Sequence, residues 1–402
     1  MARHPSIQVS SGQETFEKGA HMLRLVFAGC LLWCWVGFSA VGAESDYFPP
    51  LESQGGWRKL DSPADIRRLA GMDPQKLEVL KEWLLVSDQR PFAAVVIRRG
   101  YIVLEVERGN SSKTDTRNIK SCAKAICATV LAIASEESLA GRTPKKMTFD
   151  DPAFSFIPWA EPLSDPRKKQ ILVRQLLNHT SGIAPEYTGA KNRGPWDYVL
   201  GHSGDPVTAK LAFDPGTDLG YSTHAFYHAA LVCEDVTGVP YDQFAIEKLF
   251  KPLGIERWWF AYLDGTIGRH PSHTLGLPAR ESARICYCML RGGRWGDRQV
   301  IPKWFVEETA APTHSIHGIK CFNRDAESFS HGWELPARLT DGRGEGIPAD
   351  ARFKPGSGGQ LIAFVPSLDL VITRQTGGSG QWAYEEYLRR ACQAVISVEA
   401  GE

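Results

Sequence analysis

The sequence predicts an α+β fold: an antiparallel sheet flanked by helices, built from both chain ends, with a mostly helical segment inserted between them. Three observations point there. β-rich runs occupy residues 92–109 and return at 359–377. From about residue 140 to 325 the pattern is instead helical, with long connections rich in proline and glycine. The amphipathic stretch "WAYEEYLRRACQAVI" then closes the chain as a helix. In domain terms, 73–135 and 326–402 are expected to form the sheet domain and 136–325 the helical inserted domain.

Taken in order, residues 1–43 read as a signal peptide. Arg24 precedes an apolar run from Leu25 to Phe38, and small residues ending at Ala43 follow. The run is short for a membrane span, so cleavage is expected and a retained anchor is the minority reading. Residues 1–21 are polar, which points to a start at Met22. The Cys30 context resembles a lipoprotein box, but too much apolar sequence follows it. The mature chain is therefore expected to be exported, periplasmic or extracellular. Residues 44–72, rich in Pro, Gly and Ser, read as an irregular lead-in. Asp73-Pro74 supplies an N-cap and a first-turn proline to the helix "PQKLEVLKEWLLV". "FAAVVIRRGYIVLEVERG" is a hairpin around an Arg-Arg-Gly turn. In "TRNIKSCAKAICATVLAIA" apolar residues recur at helical spacing, so this helix is largely buried. "VRQLLNH", "STHAFYHAALVCEDVTG" and "ESARICYCMLRGG" are the inserted helices, the latter two stopped by glycine. "GQLIAFVPSLDLVITRQTG" is a pair of strands about a Pro-Ser turn.

Composition narrows the function. With 46 basic and 46 acidic residues in 402, no net field draws nucleic acid or an anionic membrane. Beyond residue 43 lie Cys122, Cys127, Cys233, Cys286, Cys288, Cys321 and Cys392. Their number is odd and their spacing outlines no disulfide framework, so most are expected as small buried side chains.

The chemistry concentrates at Ser121-Cys122-Ala123-Lys124, where alone in the chain a lysine follows a serine by three places. On a helix those positions share a face. A serine hydroxyl is a poor nucleophile until a neighbour takes its proton. A lysine serves only where burial or nearby cations favour its neutral form. On its own the tetrad reads equally as a capping serine followed by a surface lysine. No G-x-S-x-G elbow occurs, which counts against an α/β-hydrolase.

Beyond this tetrad the sequence resembles a family, the serine β-lactamase and penicillin-binding-protein superfamily on its class C side. That branch includes D-alanyl-D-alanine peptidases, carboxylesterases and 6-aminohexanoate-dimer hydrolases. The resemblance runs from Pro91 to Gly377 and rests on segments in order: "IKSCAKAICATVLAIASEESL", "FDDPAFSFIP", "VRQLLNHTSGI", "PGTDLGYSTHAFYHAALVCEDVTG", "LFKPLGI", "MLRGGRWGDRQVIPKWF", "HGWEL" and "KPGSGGQ". It implies Ser121 as acylated nucleophile, Lys124 as its proton acceptor or electrostatic partner, and Tyr221 as the residue that relays protons to the leaving group and helps activate water. A phenol titrates near ~10, so Tyr221 would need Lys124 and Lys354 beside it. Lys354 would supply charge to a substrate carboxylate or to Tyr221. The N–H groups of Ser121 and Ser357 would form an oxyanion hole, with Gly356 and Gly358 letting an edge strand approach.

Two residues depart from the family pattern. Thr223 stands where asparagine often helps hold a substrate amide, and Pro355 replaces a small or hydroxyl residue. Both weigh against an efficient β-lactamase more than against a hydrolase. The expectation is an exported serine hydrolase acting on an ester or amide of a small-molecule or peptide substrate, without cofactor or metal. The alternative is a non-catalytic module that binds or senses cell-wall peptides. His270, His273, His314 and His317 lie in loops without a carboxylate or cysteine at ligand spacing, so no metal site is expected. No phosphate-binding glycine loop appears. His179 reads as a structural hydrogen-bonder at the pocket rim, and Trp333 as a substrate platform or core residue. Specificity is assigned to the loops at 184–206 and 312–350.

Overall fold

The computed structural model describes residues 47–192, 194–260, 275–316, 328–336 and 345–396, and the backbone of 320–321 and 324–325. The signal segment, the cysteine at position 30, His270, His273, His317 and the Cys321 side chain lie outside the described residues. Among the described residues no helix is long and apolar enough to cross a membrane.

Eight strands form the main sheet: β1 (Arg58–Lys59), β2 (Phe92–Arg98), β3 (Tyr101–Arg108), β4 (Phe329–Ser330), β5 (Trp333–Glu334), β6 (Arg352–Gly356), β7 (Gln360–Val365) and β8 (Leu370–Thr376). Their spatial order is β1-β3-β2-β8-β7-β6-β5-β4. The two ends of the chain meet at its centre, where β2 and β8 pair antiparallel from Leu370 opposite Arg98 to Thr376 opposite Phe92. At the turn between β2 and β3, Arg99 and Gly100 take φ of 50° and 75°. A two-residue hairpin turn requires that left-handed pair if its twist is to match the strands.

Six helices matter here: α1 (Pro74–Ser87), α2 (Cys122–Leu139), α3 (Val173–Leu177), α4 (Thr223–Thr237), α5 (Ala279–Leu290) and α6 (Tyr384–Gln393). Asp73 caps α1 by accepting from the Gln75 N–H, with Pro74 in the first turn. Strand alternation then decides the layers. Ala93, Val95 and Ile97 of β2 join Ile362 and Phe364 of β7 in the core that contains α2 and α5. Phe92, Ala94 and Val96 face the opposite way, onto Leu77, Leu80 and Leu84 of α1 and Leu388 and Ala391 of α6. Both faces of the central strands are therefore covered, which is why β2 and β8 are buried along their whole length. Each large aliphatic side chain so buried contributes about 1.5–3 kcal/mol.

The core beneath α2 runs without a break into the helical segment, taking in Phe226 of α4 and Leu249. Small residues along α2, among them Ala123, Ala125, Cys127 and Ala128, let α4 pack beside it. Two details differ from the sequence reading. The lead-in is not wholly irregular, because β1 extends the sheet by pairing parallel with β3. Helix α5, read as part of the insertion, packs on the sheet itself, and the Thr373 hydroxyl of β8 donates to the Ala279 carbonyl at 2.9 Å.

Candidate active site

Ser121 stands at the N-cap of α2 with φ −64° and ψ −11°, and its hydroxyl makes no capping bond. The capping reading of this serine therefore fails. Lys124 Nζ instead lies 3.2 Å from Ser121 Oγ. Lys124 is fully buried, so it is no surface lysine either. Cys122, between them, points the other way and donates its thiol hydrogen to the Lys354 carbonyl at 3.0 Å. Burial pushes that thiol up to about 12, so it remains a neutral tether between α2 and β6.

Tyr221 closes the group. The Lys124 and Lys354 nitrogens lie 5.0 and 4.8 Å from its ring centroid, so two lysines lie close to one phenol ring. Behind the ring sits His179, stacked at 4.2 Å. One residue thus grips three neighbours: the His179 carbonyl accepts from Gly220 N–H, its ring touches Tyr221, and its Nδ1 accepts from Ser222 N–H. His179 does this from φ 62°, and it is buried rather than at the rim. Asn178 reaches in another direction, its Oδ1 accepting from the His331 N–H at 2.7 Å. The next residue, Gly332, presses on α2; a Cβ there would stand 2.9 Å from the Lys124 carbonyl. The "NHTSG" loop therefore holds the Tyr221 segment on one side and the β4–β5 turn on the other.

The third element is β6. Lys354 is buried, and its Nζ donates to Glu334 Oε1 of β5 at 2.7 Å. The sequence reading assigned Lys354 to a substrate carboxylate or to Tyr221; its Nζ lies 4.8 Å from the Tyr221 ring centroid and also bonds a carboxylate of the protein. The edge-strand expectation also changes, since β6 lies between β7 and β5. Its ladder to β5 is short, with Glu334 opposite Phe353, so Pro355 and Gly356 border the cleft. A Cβ on Gly356 would come within 2.6 Å of the Ile119 carbonyl, so β6 and the approach to Ser121 meet only through glycine. Ser357 follows; its Oγ accepts from Gly380 N–H at 3.3 Å. Gly358 has φ +90°, and a Cβ there would lie 2.7 Å from the Gly378 carbonyl.

Ser121, Tyr221, Pro355, Gly356 and Ser357 line one cavity of about 690 Å³, with Lys124 and Lys354 buried behind it. Thr223 does not line it. Its hydroxyl donates to Glu186 Oε1 at 2.8 Å, and Glu186 is the residue that reaches the cavity. Glu186 and Glu334 were passed over in the sequence, although the segment "HGWEL" was marked and Glu334 follows Trp333 directly. Trp333 itself is core, packed edge-on against Phe364. The wall formed by Trp382, Tyr384 and Arg389 was missed as well, since nothing local marks a helix start as part of a cleft. Among the described residues no group of three or more His, Cys, Asp or Glu is placed to hold a metal.

Residues 88–284 match the family model described as Beta-lactamase. No curated protein matches the chain. A candidate beta-lactamase from Bacteroides dorei DSM 17855 superposes with a TM-score of 0.64 at 18% identity, over 81% of this chain and 99% of that one. A penicillin-binding protein homologue from Caulobacter crescentus gives 0.60 at 15%, over 80% and 97%. A family VIII carboxylesterase gives 0.56 at 17%, over 79% and 96%. At such identities these likenesses establish the fold.

Proposed function

We propose that this chain, which carries a Beta-lactamase domain on the fold of the serine β-lactamase and penicillin-binding-protein superfamily, is a serine hydrolase that cleaves an ester or amide through an acyl-enzyme on Ser121. One observation carries the reading: a buried lysine nitrogen lies 3.2 Å from a serine oxygen that makes no capping bond, beside a tyrosine whose ring has a second lysine nitrogen 4.8 Å from its centroid. In its amine form Lys124 takes the Ser121 proton as Oγ attacks the substrate carbonyl carbon. The N–H groups of Ser121 and Ser357 receive the developing oxyanion. Tyr221 passes the proton to the leaving group, and water then releases the acid and regenerates Ser121. Threonine at position 223, turned toward Glu186, supports an esterase or general amidase over an efficient β-lactamase.

The experiment is intact-mass analysis after treatment with a fluorophosphonate probe, followed by peptide mapping. A single adduct on Ser121 is expected. No adduct on folded protein would overturn the proposal and favour the non-catalytic peptide-binding module. Export through residues 1–43, with a membrane tether only if that segment is retained, belongs to the same proposal; N-terminal sequencing of the fractionated protein tests it. Nucleic acid has no part in it.

A further inference from the structure

We propose that this site selects substrates that are neutral or cationic next to the scissile bond and discriminates against those with a carboxylate there. The inference rests on the serine-hydrolase reading and names the substrate class of the same site. Lys354 is the cation nearest the cleft on β6, and the Glu334 carboxylate lies 2.7 Å from it, both side chains buried. An ion pair closed in this way has little net charge to offer an incoming anion, and a second carboxylate at Lys354 would meet the repulsion of Glu334.

The other groups facing the cavity add to this. Glu186, fixed by the Thr223 hydroxyl and by its own N–H to the Tyr221 carbonyl at 2.8 Å, presents a second carboxylate beside the tyrosine. Among the described residues the charged side chains lining the cavity are Glu186, Glu334, Glu385, Glu386 and Arg389. Arg389 bonds Glu386, so the arginine at the rim is also matched by an acid of the protein. Leu335, Phe353 and Trp382 supply apolar surface. Such a cleft suits an uncharged or ammonium-bearing substrate, since a bound carboxylate would have to compete with Glu334 for Lys354 and with Glu386 for Arg389.

The test uses phenyl acetate, 3-carboxyphenyl acetate and 3-(trimethylammonio)phenyl acetate. All deliver the same acetyl group to Ser121, so differences in kcat/KM, normalised to hydroxide-catalysed hydrolysis, report the charge of the leaving group. The wild type is expected to use the carboxylate ester at least about tenfold less well than the phenyl ester, and the ammonium ester at least as well as the phenyl ester. Glu334→Gln should raise the carboxylate-to-phenyl ratio by about tenfold, with a melting curve showing that it folds. The double variant Glu334→Gln/Lys354→Gln, which removes both charges together, should keep the wild-type order. Equal use of the carboxylate and phenyl esters by the wild type overturns the inference, as does an unchanged ratio in folded Glu334→Gln. If no ester is turned over and Ser121 stays unlabelled, the hydrolase reading fails by itself. Calorimetric binding of the three esters to Ser121→Ala then decides the charge preference: the same order supports it and equal affinities overturn it.

Discussion

Ser121 and Lys124 are held close by one turn of α2, and what distinguishes them from an ordinary helix start is the surroundings of each group. Ser121→Ala should reduce turnover by at least about a thousandfold while the melting curve is preserved. Lys124→Met keeps the volume of a buried chain and removes the base; a loss of about 10²–10⁴ in kcat is expected, read by steady-state kinetics. Thr223 tests the departure from the usual asparagine. Its hydroxyl holds Glu186 rather than lining the cavity, so Thr223→Val should lower kcat/KM roughly three- to tenfold with little change in fold. At this scale the Ser121–Lys124 pair was legible, because residue identity and i, i+3 spacing are local, whereas Tyr221 stood out only through the family resemblance. Glu186 and Glu334 were not, since a glutamate carries no local mark of the lysine or threonine it will meet.

Among the elements, the loops bordering Ser357 are fastened by an ion-paired knot behind the sheet. Asp88, just past α1, pairs with Arg90 and with the buried Arg374 of β8. Burial alone would raise the Asp88 carboxyl; bonds from Arg90 and then Arg374 override it and hold it at about 2. Arg374 in turn donates to the Gly359 carbonyl at 2.7 Å, and Arg90 to those of Gly358 and Ser379. Asp88→Asn strands a buried guanidinium, so a loss of about 3 kcal/mol in urea denaturation is expected, together with reduced kcat/KM from the displaced Ser357 N–H. Gly332 performs the same service for α2. At φ 80° and against the Lys124 carbonyl it has no room for a side chain, so Gly332→Ala should cost about 1–3 kcal/mol and weaken activity by shifting Lys124. The helices and hairpins were readable from caps, turns and periodicity; the role of Asp88 was not, because its partner lies 286 positions away.

Across the whole molecule, the lead-in is clamped to α5 by buried charge. Arg284 lies between Glu281 at 3.2 Å and Glu52 at 3.6 Å, and Arg280 bonds Glu105 and Glu52. Burial pushes the Glu281 carboxyl up to about 7, opposed by the bond from the Glu256 N–H and by Arg284, with the Glu52 charge adding to the shift. A carboxyl raised on folding binds its proton more tightly in the folded state. Its stabilising contribution is thus complete below the unfolded value and fades as pH rises through about 7. Relative to Glu281→Gln, the wild type should lose stability by an amount on the order of 3 kcal/mol between pH 4 and 8; a flat difference in paired pH-dependent melts would refute this. By itself the sequence determined the two central hairpins and the long helices, because these rest on spacing along the chain, while the segments around Tyr221 and Lys354 were legible only through the family resemblance. Only the tertiary structure decided which acid neutralises Lys354, what Thr223 serves, that β6 is no outer strand and that α5 belongs to the sheet. Those outcomes depend on pairings between distant segments, made by burial and charge that no local pattern records.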